Sequence, residues 1–586
     1  MSLERNSKLI NRKFITYLIP SILMIFAMQF GSLVDGILIG NMISNEALSA
    51  SSLVVPILYV VQMPGFALGI GGSIVVANQL GKRDVEGAKR TFSFTMVVGM
   101  GLSLLFALLS FFVSRPLASL FGEASIEYSY PYVYMFLLTD PVITFALLIG
   151  SFMAVDNNPR LSSLFYIVSN AAKVGLEILF IAVFKMGMWG AALSTGAGYF
   201  VGLIVTIFYF VSKKRLLSFT FKLKGCMIKD VSKASATSAI NLLLTAVQML
   251  IINIFIGKLL SDFDLVIFGL ISNMVFLFDL LCGGVLNIIP TLCGIFYGEK
   301  DYYSLRSIAR KIYVVNIVIT VLISLFILIF PNVYCAIFGF NNSDNPSYVN
   351  NLLWVYLISF LPYEINKFSM NYYPTVDKSV ASIVTVLLRE LIIVLPLTLV
   401  LLHTNGLMGY SLASALNEVV TVIITYIFIY FYNRKKGYRG LFMLEKLDVE
   451  SFDVSLKNDE ANASKVSEQI VEFAKKHNIP ERESQIIGLA AEEMVDNIIV
   501  YGYKKEKSSY IDVNLKLYED NLLLRIRDDG VPFDPTKYEE NEEEEYSTSG
   551  IKLIKNLTDK MTYMRILNLN NTIFEIKLNG GISNGN

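Results

Sequence analysis

The sequence predicts an α-helical polytopic membrane protein of twelve spans in two six-helix lobes, followed by a C-terminal two-layer α/β domain. Three observations carry that prediction. Of 586 residues, 54% are hydrophobic and only 17% charged, where an ordinary soluble protein carries about 25% charge. The charges are segregated, because apolar runs dominate from Phe14 to about Tyr432 and a soluble pattern follows. The apolar part also repeats: at one constant offset Gly40, Gly81 and Asp84 superpose on Gly257, Gly298 and Asp301, and LGKRDVEGAKR (80–90) falls on YGEKDYYSLRS (297–307). Such a duplication is the mark of a pseudo-symmetric transporter with a cavity between its lobes. Lys+Arg and Asp+Glu balance at 49 each, so no global field points to nucleic acid as a partner.

The spans are expected near 14–40, 53–79, 91–113, 131–153, 161–184, 188–211, 236–259, 265–296, 312–332, 351–373, 380–402 and 408–432. Each is close to the ~20 residues that cross a hydrocarbon core as a helix, which satisfies its own backbone. Met1–Lys13 is polar and basic and does not read as a signal peptide. Basic residues fall mainly on one side: Arg5, Lys8, Arg12 and Lys13 before the first span, Lys82, Arg83, Lys89 and Arg90 after the second, and Arg434, Lys435, Lys436 and Arg439 after the last. The positive-inside rule then puts both termini, and the soluble tail, in the cytoplasm. Cys226, Cys282, Cys293 and Cys335 lack any CxxC spacing, and only His403 and His477 are available, so neither disulfides nor a histidine metal site is expected.

Within this frame IPSILMIFAMQFGSLVDGILIGNM (19–42) and GFALGIGGSIVVANQLGKRD (65–84) resemble the first two helices of the multidrug and toxic-compound extrusion (MATE) family, a likeness covering about residues 10–435. The resemblance implies secondary antiport in the plasma membrane: export of a small organic, often cationic, compound against inward proton or sodium flow.

Carboxylates inside the spans are the candidate ion handlers, since an intramembrane charge costs on the order of 3 kcal/mol unless hydrated, paired or protonated. Asp35 sits in the first span between Gly31 and Gly36; the resemblance maps it onto the coupling aspartate of the first lobe. Lys173 and Glu177 lie four apart on one face of the fifth span, and Thr195 follows in the sixth. Some MATE proteins join an Asn, an acid and a Thr at these places to the first-helix aspartate; here Lys173 replaces the Asn. A tethered ammonium competes with sodium, which favours proton coupling. Asp140, Asp279, Glu364, Lys367, Arg389, Glu390 and Glu418 read as mainly structural, with a Glu364–Lys367 pair at i,i+3 and Arg389–Glu390 near a helix end. Met28, Phe30, Tyr59, Met63 and Phe66 are candidate pocket residues, although packing or lipid contact is the commoner role for any single one in a chain with 40 Phe and 31 Tyr.

The domain boundaries read as 1–220 and 221–435 for the lobes, 436–450 for a basic-to-amphipathic linker, and 451–586 for the tail. In the tail, 465–478 and 481–503 are expected as helices, 510–530 as a hairpin turning at Glu519–Asn521, 549–563 as a helix and 572–578 as a strand. Glu493 and Asn497 share a helix face; Asp528 precedes a tight turn at a strand end; Ser549-Gly550 opens a helix whose amides suit phosphates. Singly these are weak signals. In this order EEMVDNIIVYGY, RDDGVPFDP and STSGIKLIKNLTD resemble the three boxes of the GHKL (Bergerat-type) ATP-binding fold, nearest to anti-sigma-factor serine kinases.

That resemblance implies ATP with Mg2+ as cofactor, Glu493 as general base, Asn497 as magnesium ligand, and Asp528 as partner of the adenine amino group with Thr572 as its helper. Gly530 would allow close approach to the base, and Gly550 would sit by the phosphates. It also implies a STAS-type anti-anti-sigma protein as partner. Ser547, Thr548 and Ser549 stand where relatives often have glycine, Tyr501 takes the place of a common histidine, and Glu539–Glu545 reads as a solvated lid loop. Two functions follow: a cation-coupled exporter with an ATP-binding regulatory tail, or a receptor-like kinase whose membrane part senses a compound. An ATP-powered pump is disfavoured because no GxxxxGK[ST] loop is present.

Overall fold

The structure is a computed structural model that describes residues 4–120, 125–212, 215–222, 228–338, 340, 345–445, 449–503, 509–538 and 549–578. Ser547, Thr548 and the acidic run Glu539–Glu545 lie outside the described residues. The chain divides into two compact units: Thr16–Leu444, and a second that joins the N-terminal stretch ending at Ile15 to the chain from Glu445 onward.

The first unit is all helix, and its outward face is apolar. Phe111, Phe112, Phe200 and Val211 are among many large side chains left exposed, far beyond what a soluble surface carries. Among the described residues ten helical segments, not twelve, are long and apolar enough to cross a bilayer. Two intervals account for the difference. Residues 351–373 fall on two shorter helices, Pro346–Leu357 and Phe360–Thr375, the latter carrying Glu364 and Lys367. The last two expected spans lie within Ser379–Lys436 as two helices that meet directly at a kink, Gly406, whose non-helical φ of 56° and ψ of −141° only glycine adopts readily.

The duplication seen in the sequence extends to backbone detail. Asp84 caps Val85–Ser119 by accepting from Gly87 N, and Asp301 caps Tyr302–Ile329 by accepting from Ser304 N. The residue before each cap, Arg83 or Lys300, has positive φ. Gly187 (φ 55°, ψ −135°) repeats the conformation of Gly406, and each follows a π-helical turn, Leu179–Val183 or Leu388–Ile392. The paired glycines Gly81 and Gly298 meet: a Cβ on Gly81 would lie 2.9 Å from Gly298 Cα, and a Cβ on Gly298 would lie 3.0 Å from Gly81 Cα. The two halves therefore approach backbone to backbone where the repeat places glycine in both.

The second unit contains a five-stranded antiparallel sheet: β1 (Glu450–Lys457), β2 (Tyr510–Leu517), β3 (Asn521–Asp528), β4 (Lys560–Ile566) and β5 (Leu569–Lys577), in the order β1-β2-β3-β5-β4. Helices Ala461–Lys476 and Glu481–Asn497 supply Ile470, Ile487 and Val495 to a core shared with Ile511, Leu524 and Phe574 of the sheet. The hairpin at 510–530 forms as expected. The helix expected over 549–563 stops at Leu557, where Thr558 turns its hydroxyl back to Ile554 O. Residues from Lys560 instead pair with β5, Tyr563 facing Thr572. Strand β1 has no counterpart among the elements expected in the tail.

Candidate functional site

In the membrane unit, Lys173 Nζ lies 3.3 Å from Asp35 Oδ2. Glycines make this meeting possible. A Cβ on Gly198 would sit 2.7 Å from Lys173 Cβ, so Met188–Val211 packs tightly against Pro159–Ile178 at the lysine, and a Cβ on Gly31 would overlap Asn170. Glu177 is fully buried and has Asp35 and Lys173 as its charged neighbours. Asp35 Oδ1 and both Glu177 carboxylate oxygens are buried with no hydrogen-bond partner among the described residues. Tyr132, which the sequence did not single out, points its hydroxyl at Asp35 Oδ2 from 3.5 Å. Thr195, half-buried on Met188–Val211, takes no part in this set of contacts.

The second half carries its own charged network, differently paired from the expectation. Lys367 bonds Asp279 at 2.5 Å rather than Glu364, and Tyr363 donates to the same Asp279 oxygen at 3.2 Å. Glu364 accepts from Asn316 at 3.0 Å. Arg389 bonds Glu418 at 2.8 Å and also pairs with Glu390. Apart from Glu390, the next residue to Arg389, these partners are distant in sequence, which helical spacing does not reveal. A cavity of about 280 Å3 is lined by Met24, Met28, Phe66, Tyr166, Lys367 and Asn371, among others. Of the candidate pocket residues Met28 and Phe66 reach it, whereas Phe30 is half exposed and stacked on Phe26.

The soluble unit holds a second cavity, of about 330 Å3, lined by Asn497, Tyr501, Asp528, Phe533, Asn570 and Thr572, among others. It lies between the end of Glu481–Asn497 and the last strands. Asp528, at the end of β3, is 3% exposed, and its Oδ1 accepts from Gly530 N and from Asn570 Nδ2, each at 2.8 Å. Burial pushes its carboxyl up to about 6. Asn570 was missed by sequence reasoning, because its role as the clamp on Asp528 depends on β3–β5 pairing. A Cβ on Gly530 would come 2.7 Å from Gly502 O, so glycine is what allows this turn to close.

Asn497 donates to Glu493 O at 2.8 Å and to Glu493 Oε1 at 3.2 Å. Glu493 packs against Gly550, at the start of helix Ser549–Leu557, where any Cβ would collide with its carboxylate. With Nδ2 committed to Glu493, Asn497 has its Oδ1 left, an oxygen of the kind magnesium accepts. Among the described residues no cluster of three or more His, Cys, Asp or Glu could hold a metal by itself. The donor set thus fits an ion that arrives with phosphates.

The MatE family model matches residues 20–179 and 237–400, more than half of the chain and once in each repeat. The chain belongs to the MatE family. A second family model, the histidine kinase-like ATPase domain, matches residues 456–574. Among curated relatives of this MatE protein are the multidrug export protein MepA of Staphylococcus saprophyticus, 24% identical over 51% of this chain and 67% of its own length, and that of Staphylococcus haemolyticus, 24% identical over 47% and 63%. The chain thus spans about two thirds, or slightly less, of those exporters.

Solved structures share the MATE fold. The MATE multidrug transporter DinF-BH aligns with a TM-score of 0.67 and 23% identity, covering 75% of this chain and all of that one. A MOP superfamily transporter from Pyrococcus furiosus, described as having a binding pocket of reverse polarity, aligns with a TM-score of 0.66 and 16% identity over 74% of this chain and all of that one. The protein is a multi-pass MATE-fold membrane protein with a histidine kinase-like ATPase domain at its C-terminal end.

Proposed function

We propose that this protein is a proton-coupled exporter of small organic compounds whose cytoplasmic C-terminal domain binds ATP and regulates transport. The observation that carries the coupling is the charge count of the membrane cluster: two carboxylates, the fully buried Glu177 and Asp35 with its side chain 15% exposed, share one ammonium, Lys173. One carboxylate is matched by the lysine. The other, with unpartnered oxygens, is stable only when it takes up a cation or a proton. Because Lys173 already occupies the cation position beside Asp35, the proton is the better fit. Lys173 would exchange partners as the proton arrives and leaves, and the packing of the first, fifth and sixth helices would follow.

The substrate would occupy the cavity bounded by Met24, Met28, Phe66 and Tyr166, with Lys367 and Asn371 among its polar lining, a mixture that suits a small organic molecule. ATP binding rests on the second cavity, where Asp528 and Thr572 form a polar end and Asn497 stands near the opening helix of Gly550. Bound ATP with magnesium supplies a transferable phosphoryl group. Glu493 would hold Asn497 in place and Asp528 would read the adenine edge.

The test is efflux of a fluorescent organic cation from proteoliposomes in sodium-free buffer under an imposed proton gradient. Gradient-dependent efflux without sodium is the expected result. Efflux that runs only when a sodium gradient is supplied would overturn the assignment of the coupling ion.

A further inference from the structure

Residues Glu4–Phe14 form part of the same compact unit as the ATPase-like domain, and their contacts there are specific. Ser455 N, on the edge strand β1, donates to Glu4 O at 3.3 Å, and Asn6 N donates to Ser455 Oγ at 3.1 Å. The Arg5 guanidinium, whose side chain is 6% exposed, lies 3.3 Å from Asp512 Oδ2. Lys8 bonds the Tyr510 hydroxyl at 2.8 Å. Leu9 and Ile10 are buried. Arg12 Nη1 donates to Asp529 Oδ2 at 3.1 Å, and Lys13 Nζ lies 3.9 Å from the same oxygen while donating to Asn568 O at 3.2 Å.

These last contacts fall on residues next to the lining of the proposed nucleotide cavity. Asp529 follows Asp528, which lines it. The other Asp529 oxygen accepts from Tyr503 at 2.9 Å, next in sequence to the cavity residue Gly502. Asn568 lies two residues before Asn570, the clamp on Asp528. Two N-terminal cations therefore hold Asp529 and Asn568, one and two residues from the cavity-lining Asp528 and Asn570. The β1 edge is closed by the same segment, which blunts an edge otherwise open to pairing.

We infer that Arg12 and Lys13 are positioning residues of the nucleotide site, so that ATP binding and the docking of the chain's first residues are one coupled equilibrium. This rests on the reading of the cavity as an ATP site. Coupling between two such events is reciprocal: whatever docking adds to ATP affinity, ATP adds to docking. The docked residues open a helix that continues from Lys8 to Met42 and contains Asp35, so the nucleotide gains a covalent route to the helix that carries the proposed proton site.

The experiment measures ATP affinity of the full-length protein in nanodiscs, together with hydrogen exchange of residues 4–15 with and without ATP. Arg12→Ala/Lys13→Ala should bind ATP about five- to fiftyfold more weakly, and Arg12→Lys/Lys13→Arg should restore most of the affinity. Should the double alanine variant not fold, Arg12→Gln, at a side chain 52% exposed, gives the same readout in milder form. ATP should slow exchange at residues 4–15 in the parent protein, an effect that a merely structural role for these residues would not produce. Unchanged affinity in the variants, with ATP-independent exchange at residues 4–15, would overturn the inference while leaving the ATP site standing. Failure of the parent protein to bind ATP at all would remove both.

Discussion

Asp35→Asn reduces proton-driven export to the rate of protein-free vesicles while leaving ATP affinity unchanged. The substitution keeps the shape of the side chain and its place in the first helix, so the close approach of Gly31 to Asn170 one turn away is undisturbed. What changes is the proton count. With two carboxylates around Lys173 one proton is exchangeable; with Glu177 alone, the acid and the ammonium neutralise each other permanently. A locked pair of this kind has little reason to separate, because breaking a buried pair leaves an uncompensated charge and costs about 3–5 kcal/mol. Export by the variant at the parent rate would take Asp35 out of the mechanism. Loss of ATP binding in the same variant would point to misfolding instead.

Asp528→Asn lowers ATP affinity roughly 10- to 150-fold, the equivalent of a hydrogen bond to a charged acceptor worth about 1.5–3 kcal/mol. The direction follows from the donors already present. Gly530 N and Asn570 Nδ2 both donate to Oδ1, so an asparagine must keep its oxygen there and turn its amide toward the cavity. An amide then faces the adenine amino group, donor against donor.

Acidification mimics the substitution. The carboxyl of Asp528 is pushed up to about 6 by burial, so affinity falls about tenfold between pH 7 and pH 5 as the carboxylate is protonated, and the asparagine variant lacks that dependence. The contribution of Asp528 to folding has the opposite sign. It is fully present below the ordinary carboxyl value of 3.8 and is lost as pH rises through about 6. Isothermal titration of the full-length protein with ATP at several pH values reads the binding side; equal affinity at pH 7 and pH 5 would place the adenine elsewhere.

Local signals carried much of the architecture. Apolar runs located the helices, the constant offset of Gly81 and Asp84 onto Gly298 and Asp301 exposed the duplication, and strict alternation located the β2–β3 hairpin. Two kinds of feature escaped. Backbone geometry at single residues decides how two spans join, and the non-helical Gly406 lets one helix end and the next begin with no intervening loop. Pairing between distant elements decides which polar groups meet: Lys367 finds Asp279 instead of its helical neighbour Glu364, and Asn570 reaches Asp528 only because β5 lies beside β3. The segment after Leu557 shows the same limit, since its alternation becomes decisive only once β5 is there to receive it. Candidate residues close together in sequence, Lys173 with Glu177 and Glu493 with Asn497, were legible from helical spacing. Tyr132 and the cations Arg12 and Lys13 required the fold.

The central claim is that one chain joins a proton-coupled exporter to a nucleotide-controlled regulator. Its most direct test is the initial rate of organic-cation efflux from oriented proteoliposomes at a fixed proton gradient, with Mg-ATP present or absent on the side of the C-terminal domain. The account predicts gradient-dependent efflux whose rate changes with ATP in the parent protein and does not change in Asp528→Asn. Gradient-dependent efflux that is indifferent to ATP, in a preparation shown to bind ATP, would contradict it.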